Sequence, residues 1–497
     1  MPLWSFAVGP LSNRPPQFQN QYSLVNEDGF LRLAAISRRV LALPPEILAE
    51  IFLFCLPYRG DDPVALNPKD APLVLCAVCR QWRITALNTP YLWNGFLLLG
   101  PPRSHNFSTR EAGSLYVDLC RMWLSSARSL PLSLSLRAFQ PRKTFHSVLE
   151  LVISRAHQWR EIVLHGGYEL SLPVDGKYPL LEKLTIFFLP PAHPTLSFRD
   201  APRLRDVYMP SFTGRIQLPW HQIIKFRIGC DVEDCLEFLR HASNLVDAHL
   251  RVKPTYYSSY FDDLVLPNAI LLPQLQFLDL SAQWRDGEVL PMALLQYLET
   301  PALQRLTLCF EDYDSTDSTC DISPFLSFVS QPSFKLHTLT LSRLPTTVDD
   351  LVDCLKAAPT VAQLELQISD HILNLNPLFA KLAGHGDFLP QLESFHISLS
   401  GASSIADPSL VLTALEWRCI STPFIRLQYF RFVVYIDDRN PELEDIDDCD
   451  IDAINDRKTE EYLKSFKSYA LYPVLQVSGT SFSFGEYFLE WRAVHPK

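Results

Sequence analysis

The sequence predicts an α/β protein in two dissimilar parts: a small all-α module of three short helices, then a long irregular solenoid of strand–helix repeats. Three observations carry that prediction. Apolar residues recur at helical spacing in short runs between positions 41 and 98. A Leu-x-x-Leu-x-Leu pattern then returns many times between positions 159 and 432. Finally, the 497 residues are 47% hydrophobic and 20% charged, enough to bury a substantial core and to exclude disorder as the main state.

Residues 1–38 are polar and dotted with proline, without a sustained period, and are expected to form a loose arm. The module is expected over 39–98. Leu43-Pro44-Pro45-Glu46 suits a helix start, because proline is tolerated in the first turn and glutamate favours the positive end of the dipole. Ile47, Leu48, Ile51, Phe52 and Cys55 then share one broad face, and Pro57 with Gly60 stops the helix. A second helix is expected from Asp70-Ala71-Pro72, with Leu75, Val78, Cys79, Trp82 and Ala86 on one face. Thr89-Pro90 caps a third turn carrying Tyr91, Leu92 and Trp93. Three helices this short make a marginal core of their own. Residues 99–129 are expected to hold a linker helix with Leu115, Leu119, Met122 and Trp123 at helical spacing.

Strict alternation from Leu130 to Leu136 predicts a strand and opens the repeat region, 130–435. The repeat begins clearly at Leu181-x-x-Leu184-x-Ile186 and recurs from Leu204, Leu245, Leu275, Leu303, Leu336, Val361, Leu392 and Leu427. Weaker copies start at Trp159 and Ile223. The spacing averages about 27 residues, inside the 20–29 window of leucine-rich repeats, although single intervals are irregular. The longer gaps hold helical patterns at Val232-Cys235-Leu236-Leu239, Leu294-Leu295-Leu298, Leu351-Val352-Leu355 and Leu412-Leu415. Neither a strand nor its returning helix buries an apolar side alone, so the units are expected to stack into a horseshoe with the sheet on its concave face. Period-two alternation sends Lys183, Thr185, Asp279, Arg305, Thr307, Thr338, Thr340, Glu365, Ser394, His396, Tyr429 and Arg431 to that face, a strip suited to a protein client. Glu311–Asp321 reads as an inter-repeat loop, 436–458 as an acidic loop, and 459–497 as a C-terminal cap over the exposed sheet edge.

Composition narrows the chemistry. A formal charge of −11 argues against nucleic acid or an anionic membrane as the partner. Only 17 glycines argue against a phosphate-cradling enzyme. Eleven cysteines without framework spacing, no apolar leader and no uninterrupted apolar span point to reduced thiols in an intracellular protein, cytoplasmic or nuclear; Asn106-Phe107-Ser108 is then a chance glycosylation match. Cys76-x-x-Cys79 has metal or redox spacing, but no second pair follows at finger distance, and both cysteines fall within one expected helix. The acidic run Glu442–Asp456 lacks the spacing of a calcium loop. None of the 13 histidines stands beside a nucleophile-elbow or zincin motif. No catalytic group, metal or cofactor is therefore expected.

The run Leu43-Pro44-Pro45-Glu46-Ile47-Leu48-x-Glu50-Ile51-Phe52, followed by Val78-Cys79-Arg80-x-Trp82-Arg83 and Thr89-Pro90-x-Leu92-Trp93, resembles the F-box-like domain. It is particularly similar to the large fungal group in which this domain precedes leucine-rich repeats. The resemblance covers about 60 residues in three ordered blocks. It implies a substrate receptor of a Skp–cullin–F-box ubiquitin ligase, docking on a Skp-family adaptor through Leu43, Pro44, Pro45, Ile47, Leu48, Ile51, Phe52, Leu75, Val78, Cys79 and Trp82. The receptor itself would do no chemistry. Competing readings are a repeat scaffold that binds the adaptor without ligase turnover, and a thiol or metal enzyme using Cys76 and Cys79.

Overall fold

The computed structural model describes residues 43–57, 66–99, 110–137, 143–165, 172–173, 175–187, 195–211, 216–253, 269–283, 290–311, 320–331, 335–368, 374–384, 386–400, 406–421, 427–435, 460–477, 480–484 and 488–493. The arm 1–38, the acidic loop 436–458 and most of Glu311–Asp321 lie outside them. The chain divides into two compact units, Met1–Phe96 with Met122–Leu130, and Leu97–Arg121 with Pro131–Lys497.

In the first unit, α1 (Pro45–Phe54) begins behind Pro44, with Pro45 and Glu46 in its first turn. Leu48 and Phe52, one turn apart, are its buried residues. The expected second helix is in fact two, α2 (Leu73–Val78) and α3 (Arg80–Leu87). The break falls at Cys79, whose backbone is extended (φ −158°, ψ 172°) and whose Sγ accepts a hydrogen bond from the Trp82 N–H at 3.5 Å. The cysteine thus caps α3 as a serine would. A short 3₁₀ turn, Pro90–Leu92, then delivers Trp93 to the core. Trp93 meets Trp123 edge to face at 5.0 Å, and its Nε1–H donates to the Ala86 carbonyl at 2.8 Å. Trp123 comes from the helix Arg110–Ser126 and also packs on Phe96. Each large buried side chain contributes about 1.5–3 kcal/mol, so this pair strengthens a core that three short helices leave thin.

The second unit is built on one large sheet. Its strands in chain order are β1 (Gly95–Leu99), whose first two residues belong to the first unit, β2 (Leu132–Arg137), β3 (Trp159–His165), β4 (Lys183–Ile186), β5 (Asp206–Met209), β6 (Lys225–Cys230), β7 (Asp247–Val252) and β8 (Phe277–Gln283). They continue as β9 (Arg305–Glu311), β10 (Thr338–Ser342), β11 (Gln363–Ile368), β12 (Ser394–Ser400), β13 (Tyr429–Tyr435), β14 (Thr480–Phe484) and β15 (Phe488–Ala493). Spatial order follows chain order from β1 to β13 and then runs β15, β14. Pairing is parallel from β2 to β13, and β15 closes on β13 and β14 in antiparallel fashion.

Register explains the sequence pattern. Leu184, Val207, Phe226, Ala248, Leu278, Leu306, Leu339, Leu364, Phe395 and Phe430 stand opposite one another across ten successive strands, all buried. A slip of one residue in any strand would turn this row outward, so burial fixes the register. Helices Val232–His241, Val348–Lys356 and Pro408–Glu416 return between strands. Asp231, Thr347 and Asp407 cap them, each accepting a backbone N–H at 2.8–3.1 Å. The pattern at Leu294 and Leu295 is the helix Leu290–Leu295, but Leu298 belongs instead to a two-residue strand paired with Ile270–Leu271. Helices Lys143–Ile153, Ser323–Val329 and Asn376–Gly384 were not read from the sequence.

Candidate functional site

Two surfaces are candidates, one in each unit. On the helical unit, Ile47 (49% exposed), Ile51 (42%) and Phe54 (88%) follow one another along one side of α1, adjoining its buried side. On α2, Val74 and Val78 are exposed one turn apart. Pro44 and Pro45 are also exposed, and Leu43, Cys79 and Trp82 are half-buried. Leu48, Phe52 and Leu75 correct the expected binding set: all three are buried, and Phe52 packs on Trp82 at 5.0 Å, so they hold the module together rather than face a partner. The other flank of α1 borders an open groove of about 710 Å³ lined by Pro45, Glu46, Ala49, Arg80, Gln81 and Ile84, among others.

Cys79 is engaged as a cap, and burial raises the Cys76 pKa, which lowers its thiolate fraction. Because the helix breaks at Cys79, the two cysteines do not share one helical face. Among the described residues no cluster of three or more His, Cys, Asp or Glu could hold a metal ion.

On the sheet, the expected strip lies on one face because its residues alternate with the buried row. Arg305 and Glu365 are exposed, while Lys183, Asp279, Thr307, Thr338, Thr340, Ser394, His396, Tyr429 and Arg431 are half-buried. Thr185 is a correction: it is 5% exposed and unavailable on this face. Register adds residues that the sequence reading missed, although they occupy the same intervening positions of three repeats it had recognised. Asp206, Tyr208, Lys225, Arg227, Asp247 and His249 all stand on β5 to β7 in line with Lys183, Asp279 and their neighbours.

Electrostatics on this face are dominated by cross-strand pairs. Arg227 lies 3.4 Å from Asp206 and over the Tyr208 ring at 5.3 Å. His249 is held between two carboxylates, with Nε2 3.0 Å from Asp247 and Nδ1 3.0 Å from Asp279. The hydrogen bond to Asp279, aided by the Asp247 charge, raises the His249 pKa against burial and Arg227. Similarly, the hydrogen bond from His396 at 3.3 Å holds the Glu365 carboxyl below its usual range. Arg305 covers Phe277 at 5.0 Å, and Thr338 donates to Gln363 at 3.2 Å. Charges, amides, hydroxyls and rings together line this face.

Residues 40–98 match the F-box-like family. An F-box domain in general binds a Skp-type adaptor, and F-box proteins often work in ubiquitin-ligase complexes as recognition modules rather than as enzymes. No curated protein matches the chain. No helix among the described residues is long and apolar enough to cross a membrane.

Proposed function

We propose that this protein is the substrate-recognition subunit of a Skp–cullin–F-box ubiquitin ligase. Its F-box-like domain docks on a Skp-family adaptor and, through it, on a cullin; the polar face of the sheet holds a protein client. In this reading the strand–helix units are leucine-rich repeats curved into a horseshoe, with that face concave. The protein does no chemistry. It raises the client's effective concentration at a ubiquitin-loaded enzyme and fixes its orientation.

The observation that carries the proposal is the F-box-like match over 40–98, on a module whose Ile47, Ile51, Phe54, Val74 and Val78 remain exposed. Exposed apolar side chains at helical spacing mark an interaction surface, and a few such anchors dominate most interfaces. The test is capture of a Skp-family adaptor and a cullin by the full chain. Leu43→Ala with Pro44→Ala should abolish adaptor capture while the sheet stays folded. Undiminished capture would sink the assignment, and adaptor without cullin would favour a scaffold outside the ligase.

A further inference from the structure

The open groove on the helical unit has two walls. Pro45, Glu46 and Ala49 on α1 form one, and Arg80, Gln81 and Ile84 on α3 contribute to the other. It lies on the flank of α1 away from Ile47, Ile51 and Phe54, with Leu48 and Phe52 buried between. Its apolar part is uncovered: Ala49 is half-buried, and Ile84 is 51% exposed although its helix packs against α1. The groove carries one charge of each sign, Glu46 and Arg80, both exposed and neither in an ion pair among the described residues. Its volume of about 710 Å³ falls within the ~300–1,000 Å³ of pockets for drug-sized ligands, so it takes a few side chains rather than the face of a folded domain.

The chain itself supplies a matching segment. The described residues start at Leu43, two residues from the groove wall, and 42 residues precede it. Glu27 and Asp28 are the only acids among those 42, and Phe30, Leu31, Arg32 and Leu33 follow at once. Acid, apolar group and base thus come in one run, as complements to Arg80, to Ile84 with Ala49, and to Glu46. The ten residues from Leu33 to Leu43 reach up to about 33 Å, about twice the 15 Å length of α1. On so short a tether the segment meets the groove at an effective concentration on the order of millimolar, which a separate partner has to overcome.

We propose that residues 27–33 of the same chain seat in this groove. Phe30 covers Ala49 and Ile84, the acids at 27 and 28 lie against Arg80, and Arg32 lies against Glu46. Burial of the apolar side chains supplies the affinity, and the exposed charge pairs set the direction of the segment. Because the seat is on the flank away from Ile47, Ile51 and Phe54, docking leaves those side chains open to a partner. It also adds apolar cover to a module whose own core is thin. The inference stands apart from the ligase reading, since it needs only the groove and the segment.

The test uses the full chain carrying the photoreactive substitution Phe30→benzoylphenylalanine. Irradiation should join position 30 to the tryptic peptide that begins at Ile84, and a mixture with isotope-labelled chain should show the link to lie within one molecule. Ala49→Trp fills the groove and should abolish the cross-link while adaptor capture continues. Arg80→Glu should lower the yield by about threefold or more, and adding Glu27→Arg with Asp28→Arg should restore it. These surface charge changes carry the test if Ala49→Trp unfolds, judged by thermal melting. A cross-link to the sheet, to a second copy or to nothing would overturn the proposal. So would a yield indifferent to Arg80→Glu, a failed restoration, or displacement of the segment by added Skp-family adaptor, which would assign the groove to the adaptor instead. Adaptor capture, read on the same preparations, separates the two ideas: its loss with the cross-link intact removes the ligase reading alone.

Discussion

At Gly229 the backbone of β6 runs so close to its neighbour that a Cβ would sit 2.1 Å from the Pro210 carbonyl oxygen. Backbone cannot give way as a flexible side chain does. Gly229→Ala should therefore destabilise the protein by about 1–3 kcal/mol, as overpacking does, measurable by urea unfolding. Arg418 poses the opposite problem, a 3% exposed guanidinium. It donates to the Leu382 and Leu389 carbonyls at 3.1 and 3.0 Å and to the Phe388 carbonyl. Arg418→Met keeps much of the volume but strips these acceptors, at a cost of about 3 kcal/mol or more. His249 adds a pH dependence. Since folding raises its proton affinity above the ordinary 6.5, its pairing with Asp279 and Asp247 stabilises the fold fully below pH 6.5 and fades as pH rises through the folded pKa. The stability gap between wild type and His249→Gln should thus be widest in mildly acidic buffer and narrow toward alkaline pH. A gap independent of pH would contradict this.

Elements differ in how far local sequence determines them. The strands were legible because each buries alternate residues, and the apolar positions of Leu278, Leu306 or Phe395 report that burial directly. Helix boundaries were less so. The break between α2 and α3 is invisible in the apolar pattern, since Leu75, Val78, Trp82 and Ala86 keep helical spacing through it; the cue is Cys79, a residue seldom read as a cap. Cys79→Ser should preserve α3, whereas Cys79→Ala should cost about 0.5–1 kcal/mol, the low end for a lost cap, because sulfur is a weak acceptor. Thermal melts of the two variants distinguish the cases. Of the three unforeseen helices, Ser323–Val329 and Asn376–Gly384 are short, whereas Lys143–Ile153 buries Val148, Leu149 and Val152 at helical spacing, a signal present in the sequence. The charged positions of β5 to β7 were within reach of the sequence: they are the intervening positions of the repeats at Leu204, Ile223 and Leu245, and strand pairing sets them side by side. At the far edge, β15 covers β13, whose run Tyr429–Tyr435 is rich in aromatic and β-branched residues. Truncation before Thr480 should leave that edge open to pairing between molecules, seen as high-mass species in size-exclusion chromatography. A monodisperse truncated chain would show that β14 and β15 are dispensable as an edge guard.

For the whole molecule, the sheet has the consequence that thirteen strands in chain order make nearly every strand neighbour a near neighbour in sequence. Such a topology has low contact order, and it grows by adding one unit to an existing edge rather than by gathering distant segments. The sheet can therefore assemble during synthesis, each strand docking as it leaves the ribosome while later ones are still being translated. The exception is the last step. The advancing edge changes identity with every unit, and the parallel series ends when β15 pairs antiparallel with both β13 and β14.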